Sequence, residues 1–139
     1  MITKKYGNIL CLRLQHGEDF LEKLIEFATE NKLQNAIILN GVGMLKDAEI
    51  GYFEDGKYLK KIFNTPAELV STNGNMYLNQ DNKPEWHIHV ALADKTHKMI
   101  GGHILSGLVW NTAEIFIQTI SGARFIRESE DGNLRLNFY

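Results

Sequence analysis

The sequence predicts an α+β domain in which one main N-terminal helix packs on a largely antiparallel β-sheet. Three observations predict this class: many short apolar runs bounded by turn signals, a single segment with helical spacing of its apolar residues, and short connections. The chain has 139 residues, of which 44% are hydrophobic and 23% charged, and this is enough to bury one core. Residues 1–139 are therefore expected to form a single domain.

The first third of the chain contains the predicted helix between two predicted strands. Residues 8–14 are almost entirely apolar and are expected to form a central strand. Apolar residues then recur at helical spacing behind two acidic residues, which predicts a helix over 18–31. Residues 36–39 predict a short buried strand. The glycines of the next segment, Asn40-Gly41-Val42-Gly43, predict a tight turn, with the rim of a pocket as the alternative.

The remainder of the chain predicts strands joined by turns. Asp55-Gly56 lies between two apolar runs and is a hairpin signal, and Thr72-Asn73-Gly74 predicts a bend or bulge within a further strand. Asp131-Gly132-Asn133 predicts a last hairpin in the tail. The predicted strands are 48–53, 58–63, 68–78, 86–93, 103–110 and 113–120, with 125–127 and 134–136 on either side of the last turn.

Three of the five histidines, His87, His89 and His103, lie close together in the sequence. Side chains two positions apart on a strand share a face, so His87 and His89 converge while Trp86 and Ile88 face the other way. His103 on a neighbouring strand would complete a three-nitrogen metal site. Neutral imidazole is a common zinc ligand, and three protein ligands leave the fourth position open, although imidazole also suits copper, nickel and iron. The alternative is three half-exposed strand residues.

Composition argues against several classes of protein. The formal net charge is −2, and the lysines are spread along the chain, so the net charge gives no support to direct binding of DNA phosphates. The single cysteine, Cys11, lies in the first predicted strand and is expected to be a buried, unreactive thiol. Because no apolar run has the length of a membrane span and the N-terminus lacks a signal peptide, we expect a cytoplasmic protein without a membrane partner.

Several motifs in this order resemble a known family. Residues 39–53 resemble the first signature of the PPC domain (plants and prokaryotes conserved), and residues 68–71 with Gly74-Asn75 resemble the second. The third cluster corresponds to residues 87–94, 101–107 and 112–115. The resemblance covers nearly the whole chain and is to the stand-alone prokaryotic type of the domain, because the chain contains no Arg-Gly-Arg core of an AT-hook.

The resemblance implies a compact α+β domain that assembles as a homotrimer. In plants the domain is joined to AT-hooks, so the resemblance also implies a DNA-associated or regulatory role. Some bare prokaryotic members are similar in the three-histidine pattern and carry a metal, with zinc as the expected ion. The ligands that this implies here are His87, His89 and His103.

Two functions follow from these patterns. The first is a non-catalytic trimeric module that binds zinc or a small ligand. The second is a zinc-dependent hydrolase or lyase, for which Glu114 is the first candidate as general acid or base and Glu85 the second. A carboxylate at a sheet edge or a subunit interface is the alternative role of Glu114.

Overall fold

The chain forms nine strands and one helix, and the computed structural model describes residues 1–139. Two of the strands, with 19 and 20 residues, are far longer than a typical strand. The elements are β1 (Ile2–Tyr6), β2 (Ile9–Gln15), α1 (Phe20–Glu30), β3 (Ala36–Glu54), β4 (Lys57–Phe63), β5 (Ala67–Leu78), β6 (Pro84–Ala93), β7 (Met99–Gln118), β8 (Phe125–Glu130) and β9 (Asn133–Phe138).

All nine strands belong to one sheet. Its main order is β1-β2-β7-β3-β5-β8-β9, while β4 pairs with β3, and β6 pairs with both β5 and β7. Every pairing is antiparallel except the short contact between β5 and β8. Because 67% of the residues lie in strands, the domain is largely β with one short helix, which is consistent with the predicted α+β class.

The helix α1 covers one side of the sheet and closes the core. Its first turn is capped by Asp19, whose carboxylate accepts a hydrogen bond from the Glu22 amide at 2.8 Å. The side chains of Phe20, Leu24 and Phe27 are buried against β6 and β7. The helix predicted over 18–31 is therefore confirmed, with ends one or two residues inside the prediction. It is too short to span a membrane.

The tight turn predicted over 40–43 is wrong, because β3 continues through these residues. Bulges at Ile38/Asn40 and Gly43/Leu45 bend the strand instead of ending it. Gly43 has φ +145°, and a Cβ at this position would lie 2.2 Å from the Thr112 carbonyl oxygen. This glycine is required for close approach to β7 and not for a turn.

The long strand β7 corrects one further prediction, and the first strand of the chain is an element that the sequence patterns missed. The strands predicted over 103–110 and 113–120 are parts of the single strand β7, in which Asn111 takes φ +68°. The first strand, β1, was not predicted because its sequence is polar and all its residues are exposed. The hairpin at Asp55-Gly56 and the last hairpin are confirmed. The strand β5 is irregular, but its bulge lies at Leu69/Ser71 and not at Thr72-Asn73-Gly74 as predicted, since these three residues pair regularly with β6.

The pairing of β6 with its two neighbours places the histidines. On β6, Trp86, Ile88 and Val90 are buried in the core, so His87 and His89 lie on the opposite face. His89 pairs with His103 on β7. The sequence alternation alone therefore brings the first two imidazoles together, and the β6–β7 register adds the third.

We predict that Gly74→Ala destabilises the protein. A Cβ on Gly74 would lie 2.3 Å from the His87 carbonyl oxygen and 2.9 Å from the Ile88 Cα, so β5 and β6 would have to separate. Overpacking of this kind costs about 1–3 kcal/mol in the free energy of unfolding, which urea denaturation measures. Gly107→Ala is the control, since its Cβ would make an ordinary 3.5 Å contact with Ala48. Equal losses in the two variants would contradict the prediction.

Candidate metal centre

The three predicted ligands meet in one cluster. One ligand nitrogen from each of His87, His89 and His103 lies within 4.8 Å of the other two. The rings of His87 and His89 stack at 5.1 Å between centroids, and His103 stands edge-on to both. The Nε2 atoms of His87 and His89 are 3.1 Å apart. His89 is exposed, whereas the other two are half-buried, so the cluster opens to solvent on the His89 side.

The surroundings of the cluster disfavour protonation of His87 and His103. Burial, together with the charges of Arg127, His103 and His89, lowers the pKa of His87 to about 4. Burial and the charges of His89 and Arg127 also lower the pKa of His103. An imidazole must be unprotonated at the ligating nitrogen to bind a metal. For His87 and His103, the surroundings therefore favour the charge state that metal binding requires.

Residues from three other strands surround the imidazoles. Nη2 of Arg127 on β8 lies 2.6 Å from Nδ1 of His87, and the Tyr58 ring on β4 lies 5.0 Å from the His103 ring. On β5, Tyr77 donates a 2.8 Å hydrogen bond to Glu85. Burial and this contact with Glu85 raise the pKa of Tyr77 to about 12, so that its hydroxyl keeps its proton.

The donor set fits a zinc ion. Zn–N bonds of about 2.0–2.1 Å in a tetrahedral site put ligand nitrogens about 3.4 Å apart, close to the observed His87–His89 separation. Nδ1 of His103 is buried and has no hydrogen-bond partner, and neither has Oδ1 of Asn75, the residue opposite His87. Buried polar atoms are normally paired, so these two atoms indicate that a bound group is accommodated here.

The structure does not bring Glu114 to the histidines. Glu114 is exposed and lies between Arg13 and Val42 in the sheet, beside the groove that also contains Cys11. Glu85 is the nearer carboxylate, because it shares a face of β6 with His87 and lies two residues away. Cys11 is half-buried and not fully enclosed as predicted, because it lies on the face of β2 opposite the buried Leu10 and Leu12.

Most of the residues around the cluster carry no signal that sequence patterns could reveal. Arg127 is forty positions from His87, and Tyr58 belongs to a hairpin whose pattern indicates only strands. Asn75 could have been found from the sequence. It lies in the predicted strand that precedes the histidine strand along the chain, and a polar residue in a core strand is uncommon. The Asn40-Gly41-Val42-Gly43 segment belongs to β3 and does not contribute to the cluster.

Comparison with known proteins decides the family. Residues 1–121 match the description "Plants and Prokaryotes Conserved (PCC) domain". The chain belongs to the PCC family. The resemblance inferred from the motifs is thereby confirmed, although the matched range ends before β8, on which Arg127 lies.

Solved structures include relatives of this PCC domain. A plant- and prokaryote-conserved protein from Pyrococcus horikoshii is 34% identical, has a TM-score of 0.85, and covers 98% of this chain and 96% of its own. The metal-containing protein AF0104 from Archaeoglobus fulgidus is 31% identical with a TM-score of 0.82, over 95% of this chain and 94% of its own. A protein from Bacteroides thetaiotaomicron, whose name proposes DNA binding, shares the fold at 21% identity and a TM-score of 0.89, over 99% of this chain and 96% of its own.

Curated relatives carry the domain within a much longer chain. The bifunctional protein GlmU of Synechococcus sp. (strain JA-3-3Ab) is 29% identical over 121 residues. The match covers 86% of this chain but only 18% of that protein. The likeness therefore concerns the PCC domain and not the remainder of GlmU.

We predict that the metal-free PCC domain loses stability as the pH falls from 6.5 towards 4. His87 in the unfolded chain binds a proton near its ordinary pKa of 6.5, whereas the folded protein resists protonation down to about 4, so acid favours unfolding in this window. Urea denaturation in the presence of EDTA at several pH values measures the slope of the free energy of unfolding against pH.

His87→Gln is expected to reduce this slope, and the remaining part is assigned to His103, whose pKa is lowered in the same direction. His97→Asn serves as the control because His97 is an exposed residue with φ +64°, which asparagine tolerates. An unchanged slope in His87→Gln would contradict the prediction.

Proposed function

We propose that this PCC domain holds one zinc ion through His87, His89 and His103, and that the open fourth position binds water or a small ligand. The observation that carries the proposal is the convergence of three imidazoles with no other side chain completing the set. Three protein ligands with an open position are typical of a reactive or ligand-binding zinc site, whereas structural sites are closed by four.

Similarity to a metal-containing protein supports this proposal. AF0104 of Archaeoglobus fulgidus, named as metal-containing, is 31% identical over nearly its whole length. In the present chain, burial lowers the pKa of His87 and leaves its ring neutral at physiological pH. The unpartnered nitrogen of His103 adds a further reason to place the ion here.

The proposal includes assembly as a homotrimer in the cytoplasm. Exposed apolar side chains lie on the outer face of the central strands, among them Leu39, Val42 and Phe116. Apolar side chains grouped on an outer face favour contact with a partner, and a second copy of the domain is the partner that the family implies. Glu114 lies on the same face as Val42 and would be part of such an interface.

A DNA-associated regulatory role stays a prediction. The protein from Bacteroides thetaiotaomicron whose name proposes DNA binding shares only the fold at 21% identity. The net charge is −2, and Lys60 on the exposed hairpin is paired with Glu49 at 2.7 Å. Direct binding of DNA by this protein would be recognised by an affinity for DNA that falls steeply as the salt concentration rises.

A zinc-dependent hydrolase or lyase is the second candidate. The observation that favours it is the exposure of His89 beside the open position. Zinc would supply Lewis acidity and lower the pKa of a bound water to about 7. Glu85, on the same face of β6 as His87, accepts hydrogen bonds from Tyr77 and Asn79 at 2.8 Å, which fix the orientation of its carboxylate.

We predict about one zinc ion per chain in protein purified without an affinity tag, as measured by elemental mass spectrometry. His87→Ala and His89→Ala together should remove the ion, because one remaining imidazole cannot hold it. His97→Asn, which changes a histidine outside the cluster, should keep it. Absence of metal from the native protein, or its retention in the double variant, would refute the site.

We predict that any hydrolytic activity of the zinc-loaded protein depends on Glu85. Glu85→Gln should keep the ion and lower kcat by about 10²–10⁴-fold, the usual contribution of a general acid or base. Glu114→Gln is the matched control, since Glu114 lies outside the cluster. Lack of turnover on ester, amide, phosphoester and lactone substrates would leave the binding module as the function.

A further inference from the structure

Arg127 is a half-buried cation without an acidic partner. No carboxylate forms a salt bridge with it, and its Nε is buried with no hydrogen-bond partner. Its Cζ lies 4.9 Å from the centroid of the Tyr77 ring, and Nη1 donates to the Leu134 carbonyl oxygen at 3.3 Å. A guanidinium has five N–H donors and matches carboxylate and phosphate groups well. Arg127 therefore keeps unused donors beside the three histidines.

The contact between Arg127 and His87 competes with metal binding. A guanidinium only donates, so Nδ1 of His87 must accept the 2.6 Å hydrogen bond from Nη2. A neutral imidazole has one acceptor nitrogen, so Nε2 carries the proton and donates it to His89, 3.1 Å away. A metal bound at Nε2 of His87 would leave the ring's one proton on Nδ1, which could then no longer accept a hydrogen bond. A metal bound at Nδ1 would use the lone pair that accepts the hydrogen bond from Arg127. Either arrangement ends the hydrogen bond and frees the guanidinium.

We propose that Arg127 is the anion-recognition residue of the three-histidine centre, and that the ligand of this centre is a small molecule with a carboxylate or phosphate group. The inference rests on the proposed zinc site and adds the chemical class of its ligand. Packing on Tyr77 and the bond to the Leu134 carbonyl oxygen keep the guanidinium beside the site after His87 is released. Charge-assisted hydrogen bonds then favour an anion.

The charges around Arg127 indicate where the anion binds. On one side, a cavity of about 260 Å³ contains the carboxyl groups of Glu85 and Asp81, which repel an anion. On the other side, the guanidinium meets Nδ1 of His87, and the cluster of possible ligands there consists of imidazoles without a carboxylate. The anion is therefore expected on the histidine side of the guanidinium.

Arg127 also lies outside the part of the chain that the family description matches. The match ends at residue 121, whereas Arg127 belongs to β8, whose ladder with β5 consists of one register pair, Leu78 and Ile126. The last hairpin thus delivers a charged group to a site built by other strands. We assign the specificity for anions to this hairpin.

The test is anion binding by the zinc-loaded protein, freed of excess zinc, in calorimetric titrations with inorganic phosphate and, separately, with acetate. Arg127→Gln should keep its zinc and bind the preferred anion at least about tenfold more weakly, the loss expected for a hydrogen bond to a charged group. Arg124→Gln is the matched control. Arg124 is exposed and its guanidinium bonds to Asn82, and this substitution removes the same positive charge. The tighter of the two anions identifies the recognised group.

The outcomes separate this inference from the zinc site itself. Zinc content is measured before each titration, and a wild-type protein without zinc would overturn the proposed function and this inference with it. With zinc bound, the inference is overturned if Arg127→Gln binds the anion as the wild type does, or if the wild type binds neither anion. Should Arg127→Gln fail to fold, Arg127→Lys takes its place, because lysine keeps the charge but lacks the planar, two-pronged donor arrangement of a guanidinium. Unchanged anion affinity in Arg127→Lys would equally overturn the inference.

Discussion

The antiparallel pairing of β6 with β5 on one side and β7 on the other is the constraint on which the metal centre depends. Side chains alternate along a strand, so a slip of one residue would turn His87 and His89 into the core and expose Ile88. The buried face of β6 fixes this register, because Trp86, Ile88 and Val90 belong to the main core beneath α1. The hydrophobic effect on one face thereby positions the imidazoles on the other.

Close contact between the backbones gives this pairing its precision. Gly74 on β5 faces the carbonyl of His87, and any side chain at this position would push the two strands apart. The same contact holds Asn75 opposite His87, and the amide oxygen of Asn75 is buried without a hydrogen-bond partner. Packing and site geometry are therefore set by the same residues, and a change that loosens the sheet also loosens the site.

The three imidazoles lie beside one cation that no carboxylate neutralises. Burial disfavours protonation of His87, and the nearby Arg127 disfavours it further. Hydrogen bonds link Arg127 to His87 and His87 to His89, whereas Nδ1 of His103 has no partner. The proposed metal would replace these hydrogen bonds with coordination bonds and would make the guanidinium available to a ligand. Electrostatics thus couples the metal, the histidines and the last hairpin.

The sequence by itself determined the elements with strong local patterns. The amphipathic stripe from Phe20 to Phe27 predicted α1, and the alternation around His87 and His89 predicted both the strand and the shared face, because these periodicities follow from backbone geometry. Only the tertiary structure decided that β3 runs through Gly43, since the bulges that bend it depend on pairing with β7. Likewise, it placed Glu114 away from the histidines, and it brought Arg127 to His87 across forty positions. Contacts of this kind arise from strand order and register, which local sequence patterns do not encode.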